Sequence, residues 1–370
     1  MAGVAKTASL LALSTLSSQQ PFLKGMERTF VCSDGVKLAG KLWSNKRDGD
    51  GTASSSVLSD DASTSKIICL HGWLDNCASF HLVAPSLLNG YTKSSSDEEN
   101  DRQQPFSNTE VLALDFPGHG LSGHKSADGP TMLMAEYCFY VNEALQQMQW
   151  DEYTLVGHSM GAGVSVIMAA AWPEKVKSLV LLEGAGPLAR NARDSAKHVR
   201  LSVEKRISSN RTLYGDDASK NNGMKRSGGR VYADISKAVD ARMQTARLSP
   251  GKQYISEEAA RVMVERATVP AGVEGSPNVT FRHDPRLMWP SLQYNTQEQV
   301  EAFWDDISCP TLLVQAEDGW PMPASGVEHL KSKFKLTDHV KLPGSHHNHA
   351  DPSTAPAVIE HVRNFLAYRV

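Results

Sequence analysis

Glu152 to Val164 reads EYTLVGHSMGAGV, and its two halves carry different patterns. Tyr153 to Val156 is a short apolar run without polar alternation, as expected of a strand buried on both faces. From Gly161 to Trp172 small residues, Ala162, Gly163 and Ala169 among them, are spaced for a closely packed helix. Between the halves lies Gly157-His158-Ser159-Met160-Gly161. A serine at a sharp strand-to-helix turn is pushed above the edge of the sheet. The flanking glycines are needed because a Cβ at either position would clash in the turn. Ser159 is therefore the candidate nucleophile.

The same strand signature recurs outward from this turn, at Lys66 to Leu70, Glu110 to Phe116, Val176 to Leu182 and Thr311 to Gln315. Helical patterns separate these runs, at Pro130 to Met148, Gly161 to Trp172, Ala324 to Phe334 and Ala355 to Ala367. Strands alternating with helices predict an α/β fold with a mostly parallel sheet and right-handed crossovers. The alternation breaks between Pro187 and Asp306, where helical segments such as Ser195 to Ile207 and Glu257 to Arg266 occur without the pattern of a buried strand. This predicts an inserted helical cap. The chain thus divides into an N-terminal segment, residues 1–26, a first core part, 27–186, the cap, 187–306, and a second core part, 307–370. Polar low-complexity stretches at 45–65 and 93–108 read as surface-loop insertions in the first core part.

Composition bounds the function. The 370 residues are 41% apolar and 21% charged, enough for a sizeable core and inconsistent with disorder throughout. A net charge of -3 provides no general field for a nucleic-acid backbone. No apolar run approaches the roughly 18 residues of a membrane span. Five scattered cysteines without CxxC spacing argue against a disulfide framework or a zinc site, so a reducing, intracellular, cytoplasmic setting is expected. Residues 1–26 lack Asp and Glu and read as a disordered N-terminus or an organelle-targeting leader. Between Leu188 and Leu248, 14 Lys and Arg face 6 Asp and Glu. That basic stretch is either a solvated helical face or an attractor for an anionic substrate such as a carboxylate or acyl thioester.

Two further motifs precede the serine. Ile67 to Trp73, IICLHGW, is a strand running into a His-Gly turn. If that loop lies beside the nucleophile, the backbone N–H groups of Trp73 and Met160 together cradle a developing oxyanion, and His71 stabilises the loop rather than acting as a base. Leu114 to His124, LDFPGHGLSGH, follows a strand, and its Asp115 and His119 are read as structural residues organising the rim of the sheet.

In the order HGW, DFPGHG, GHSMG and a late histidine, the chain resembles the α/β-hydrolase superfamily through almost all of residues 29–370. More narrowly, HGWLDN at His71 to Asn76, DFPGHGLS at Asp115 to Ser122 and FRHDPRLMWPS at Phe281 to Ser291 look like the serine hydrolase-like proteins. The resemblance implies a serine nucleophile, a helical cap and ester-type hydrolysis of a small-molecule ester or acyl substrate, without a cofactor. It places the base after the last strand, in LPGSHHNHADP, at His346, with His347 as the alternative and His349 as the second histidine three residues on. These three histidines raise a metal site, but no acidic or cysteine ligands at helical spacing accompany them, so no metal is expected.

The acid departs from the superfamily pattern, which usually places it four residues before a proline. Here that position is Gly319, in QAEDGWPMP. Asp318, one residue earlier, and Glu183, at the end of the preceding strand in LVLLEGAGP, are the two substitutes. Glu183 is favoured because it leaves the strand geometry undisturbed, and some superfamily members carry their acid at that strand end. An acyltransferase using the same residues, and a catalytically silent binding protein suggested by Gly319, are the competing readings. Arg282, His283, Asp284 and Arg286 form either a salt-bridge cluster or a substrate contact.

Overall fold

The apolar runs of the sequence line up as the middle of one sheet. A computed structural model describes residues 25–45, 64–88, 108–126, 132–214, 230–321 and 324–369. The expected leader up to residue 24 and nearly all of both polar insertions lie outside the described residues. In chain order the elements are β1 (Met26–Val31), β2 (Lys37–Ser44), β3 (Ser65–Leu70), α1 (Val83–Ser86), β4 (Thr109–Leu114), α2 (Glu136–Gln147), β5 (Tyr153–His158), α3 (Met160–Ala171), β6 (Val176–Leu182) and α4 (Ser195–Tyr214). There follow β7 (Val231–Tyr232), α5 (Ile235–Arg247), α6 (Glu257–Ala267), β8 (Thr268–Pro270), β9 (Val279–Phe281), α7 (Gln297–Asp306), β10 (Thr311–Asp318), α8 (Ala324–Lys333), β11 (Asp338–Ser345) and α9 (Ala355–Arg369).

The eight-stranded sheet has the order β1-β2-β4-β3-β5-β6-β10-β11. Strand β2 runs antiparallel to β1 and β4, and the other pairings are parallel. The central strands lack polar alternation because both faces are covered. Ile68, Leu70, Leu112, Leu114, Leu155, Leu179 and Leu181 point into one layer with α2, α3 and α7. Their neighbours Ile67, Cys69, Val111, Ala113, Val156, Val180 and Leu182 point into the other, against α9 and the segment around Phe80. A parallel sheet orders its loops at the C-terminal ends of the strands, where Ser159, Glu183 and the residues after β3 and β11 emerge.

Three strands of the main sheet escape the sequence pattern. Strands β1 and β2 form an edge hairpin with mixed exposure, and β11 is the opposite edge, which is why it tolerates Pro343. The segment between β6 and β10 carries short strands as well as helices. It holds a small antiparallel sheet of order β7-β9-β8, whose strands of two or three residues are too short for any periodicity to register. Helices α5 and α6 and this sheet share a core around Ala238, Val239, Ala260 and Met263. Helix α7, in the stretch read as cap, packs against α3 and α8. Trp304 stacks on Phe334 with centroids 5.2 Å apart and donates to the Ala185 carbonyl, so the sheet-flanking layer resumes at Gln297. Among the described residues no helix is long and apolar enough to cross a membrane. All five cysteines are free, and burial raises their pKa, that of Cys32 to about 12.

Candidate active site

The turn after β5 is built by exclusion of side chains. Ser159 sits at φ 52° and ψ −112°, in the left-handed half of the map that L-residues occupy at a cost. A Cβ on Gly157 would stand 2.5 Å from both the Gly161 carbonyl oxygen and Ser165 Oγ, and one on Gly161 would fall on the Leu70 carbonyl. Gly161 therefore lets the start of α3 press against the end of β3, which sets the His71-Gly72-Trp73 loop beside the serine turn. Met160 opens α3, so its N–H has no acceptor within the helix. Trp73 is half exposed, and its indole donates to the Leu287 carbonyl at 3.0 Å.

His71 is fully buried. Its Nδ1–H donates to the Gly72 carbonyl at 2.7 Å and its Nε2 accepts from the Phe116 N–H at 3.0 Å. Burial lowers its pKa to about 4, so it is a neutral loop brace. Asp115 is likewise occupied, accepting from the Cys77 and Leu121 N–H groups and from Arg266, whose guanidinium also holds Glu27. His119 gives its Nδ1–H to the Pro117 carbonyl, and burial brings its pKa to about 3. Further on, Asp284 and Arg286 pair at 2.6 Å, and Arg286 also binds the Lys125 and Ser126 carbonyls. That arrangement is a clamp between chain segments.

Among the residues expected to do chemistry, the structure brings Glu183 to His346. Glu183 Oε2 lies 3.1 Å from His346 Nδ1, with side-chain exposures of 5% and 12%. The carboxylate is fixed by two backbone donors, Ala316 N–H on Oε1 and Trp320 N–H on Oε2, and its own backbone takes φ 54° at the end of β6. Asp318, at the end of β10, makes no described hydrogen bond to His346. Gly319 explains the departure from the usual pattern. A Cβ there would overlap Glu183 Oε2 and stand 2.6 Å from Oε1, so the glycine and the glutamate are two sides of one packing solution. His347, the alternative base, points elsewhere: its Nε2–H donates to Asp75 Oδ2 at 3.0 Å.

Sequence reasoning missed the frame around this pair. His158, adjacent to Ser159, donates Nε2–H to the His346 carbonyl at 2.8 Å, tying the serine turn to the histidine loop. Gln253 accepts from the His346 N–H at 2.9 Å, and Tyr254 accepts from Ser345 Oγ. Asp75 and His158 were present in the quoted motifs, whereas nothing in the pattern marks Gln253 or Arg242. Burial drives His158 well below its ordinary pKa, with His349, His346 and His347 adding to the effect. At Asp75 burial opposes ionisation, but His347 and Arg242 outweigh it and hold the carboxyl well below the usual range.

Asp75, His158 and His347 place one potential ligand atom each within 4.8 Å of one another, so tertiary contact supplies the acidic group that helical spacing lacks. Arg242, however, reaches in from α5 to 2.8 Å from Asp75 Oδ1 and 3.2 Å from His347 Nε2. Its guanidinium already provides the positive charge, and a metal ion would have to displace it.

This strand order, serine turn and late histidine can be compared with known proteins. A family model described as the alpha/beta hydrolase fold matches residues 66–225. A serine hydrolase-like protein of Dictyostelium discoideum is 27% identical over 356 residues, covering 92% of this chain and 82% of that protein. The chain has the α/β-hydrolase fold. Within it, the chain stands close to the serine hydrolase-like proteins, of which one from Danio rerio is 27% identical over 300 residues, covering 79% of each. The crystal structure of a hypothetical protein from Pseudomonas aeruginosa PAO1 superposes with TM-score 0.69 at 29% identity, covering 92% of this chain and 99% of that one.

Proposed function

We propose that this α/β-hydrolase cleaves a carboxylic ester or thioester through Ser159, His346 and Glu183. The observation that carries the reading is the 3.1 Å contact between His346 Nδ1 and Glu183 Oε2, on a loop held to the residue preceding Ser159. Its hydrolase-fold relatives support hydrolytic chemistry in general, and the arrangement of these residues supports the finer statement.

In this mechanism Glu183 accepts Nδ1–H and holds the imidazole with Nε2 toward the serine. His346 Nε2 takes the Ser159 proton as Oγ attacks the acyl carbon, and Glu183 stabilises the imidazolium that forms. The N–H groups of Met160 and Trp73 receive the oxyanion. The imidazolium then protonates the departing alcohol or thiol, leaving an acyl-enzyme. Water, deprotonated by His346, attacks that ester, and Ser159 recovers its proton as the carboxylic acid leaves.

The test is labelling of the purified protein with a fluorophosphonate probe, followed by mass spectrometry of the modified peptide. Modification at Ser159 that disappears in His346→Ala is expected. A folded protein that resists labelling and turns over no member of an ester panel would support the silent binding protein instead.

A further inference from the structure

Helix α4 spans 20 residues, yet none of the apolar side chains among its described residues is buried. Among the described side chains of the helix Ser202 alone is buried, donating to the Pro290 carbonyl at 2.7 Å. Further contacts of its described residues are Arg206 over the Trp289 ring and His198 against Tyr294. Meanwhile Val199, Val203 and Ile207, spaced i, i+4 and i+8, form a single row 45%, 40% and 47% exposed. A globular helix normally turns such a row toward a core, because burial of its apolar face provides most of its stability. This helix turns it to solvent.

Charge indicates what meets the row. Between Leu188 and Tyr214 there are seven Lys and Arg against two Asp and Glu, in a chain whose net charge is -3. Arg200 and Arg211 lie beside the row on the helical wheel, and Lys197 lies further round. A narrow band of β-branched side chains about two turns long, rimmed by long cationic side chains, matches an interfacial helix. Its apolar row enters the acyl boundary while the cations remain among anionic headgroups. We propose that α4 is a docking surface for an anionic lipid bilayer.

The surface is connected to the catalytic end of the sheet. Through Ser202 and Arg206, α4 rests on Trp289 and Pro290, and the preceding Leu287 carbonyl accepts the Trp73 indole N–H. Met288 and Trp73 are 50% and 49% exposed along this path. Docking through α4 would thus bring a lipid ester near the Trp73 loop. That consequence rests on the hydrolase reading above, whereas the docking itself does not.

The test is co-sedimentation of the full chain with vesicles of phosphatidylcholine alone or with about 30% phosphatidylserine, at low and high salt. Binding to the phosphatidylserine vesicles, weakened by salt, is expected. Joint replacement Val199→Ser, Val203→Ser and Ile207→Ser should abolish it, and Arg200→Gln with Arg211→Gln should weaken it about five-fold per charge. Labelling of Ser159 by a soluble fluorophosphonate should be unchanged in all these variants, which separates failure of docking from failure of the chemistry. No binding by the parent chain, or binding indifferent to both sets of substitutions, would overturn the proposal. Capture by immobilised poly-aspartate without vesicle binding would assign the face to an acidic protein instead.

Discussion

Replacing Gly319 by alanine should disarm the site without unfolding the protein. Gly319 does not occupy a positive φ, so alanine is compatible with the backbone. The added methyl would stand 2.6 Å from Glu183 Oε1 and 2.8 Å from its carboxyl carbon, where ordinary contact begins at 3.4 Å. Oε2, the oxygen facing His346, is closer still, so the carboxylate must retreat by about 1 Å, stretching the 3.1 Å contact with His346 toward the limit of a hydrogen bond. A displacement of ~1 Å in a catalytic group costs on the order of 100-fold in rate, or ~2.7 kcal/mol of transition-state stabilisation. The pseudo-first-order rate of fluorophosphonate labelling at Ser159 reads this directly, with Tm recorded alongside. Adding Glu183→Gly to Gly319→Asp, which returns an acid to its usual superfamily position, should label faster than either single variant. Wild-type labelling by Gly319→Ala would refute the argument that Glu183 needs this space.

The other expectations concern the acid, the brace and pH. Glu183→Gln should slow labelling by about 10³- to 10⁴-fold, while Asp318→Asn should stay within about two-fold of wild type, and the opposite order would move the acid to Asp318. Arg242→Gln removes a partner of the buried Asp75 carboxylate and should cost about 3 kcal/mol in urea unfolding. The loss should be non-additive with Asp75→Asn, and strict additivity in the double-mutant cycle would show that the two do not act as a pair. Buried neutral His71 and His119, whose pKa values fall from 6.5 to about 4 and about 3, bind fewer protons folded than unfolded. Their contribution is full above pH 6.5 and declines as pH falls, by ~1.4 kcal/mol per unit for each histidine until its folded pKa is reached. Thermal unfolding between pH 7 and 5 should show this slope, and His119→Gln should flatten it.

Much of the fold was legible because its signals are local. The central strands announced themselves by apolarity on both faces, and Gly157 and Gly161 announced the serine turn through the sterics of one tight bend. Strand β11 was not legible, since an edge strand with one solvated face and a proline carries no such run. Helix α7 has an ordinary amphipathic pattern that says it is buried, but the pattern does not say against which layer. In the site, Ser159 and His346 follow from turn chemistry and family resemblance, whereas Gln253 and Arg242 hold the histidine loop from distant segments that have no motif.

The sequence by itself determined the α/β class, the serine at the strand-to-helix turn, and a short set of possible acids. Only the tertiary structure decided which of those acids lies against His346. Gly319 and Glu183 are read as unrelated residues along the chain, one a missing acid and the other a strand end. They become a single feature once β6 and β10 pair side by side, because the glutamate carboxylate then fills the volume that the glycine leaves open. Steric exclusion between neighbouring strands depends on register, and register emerges when the whole sheet assembles.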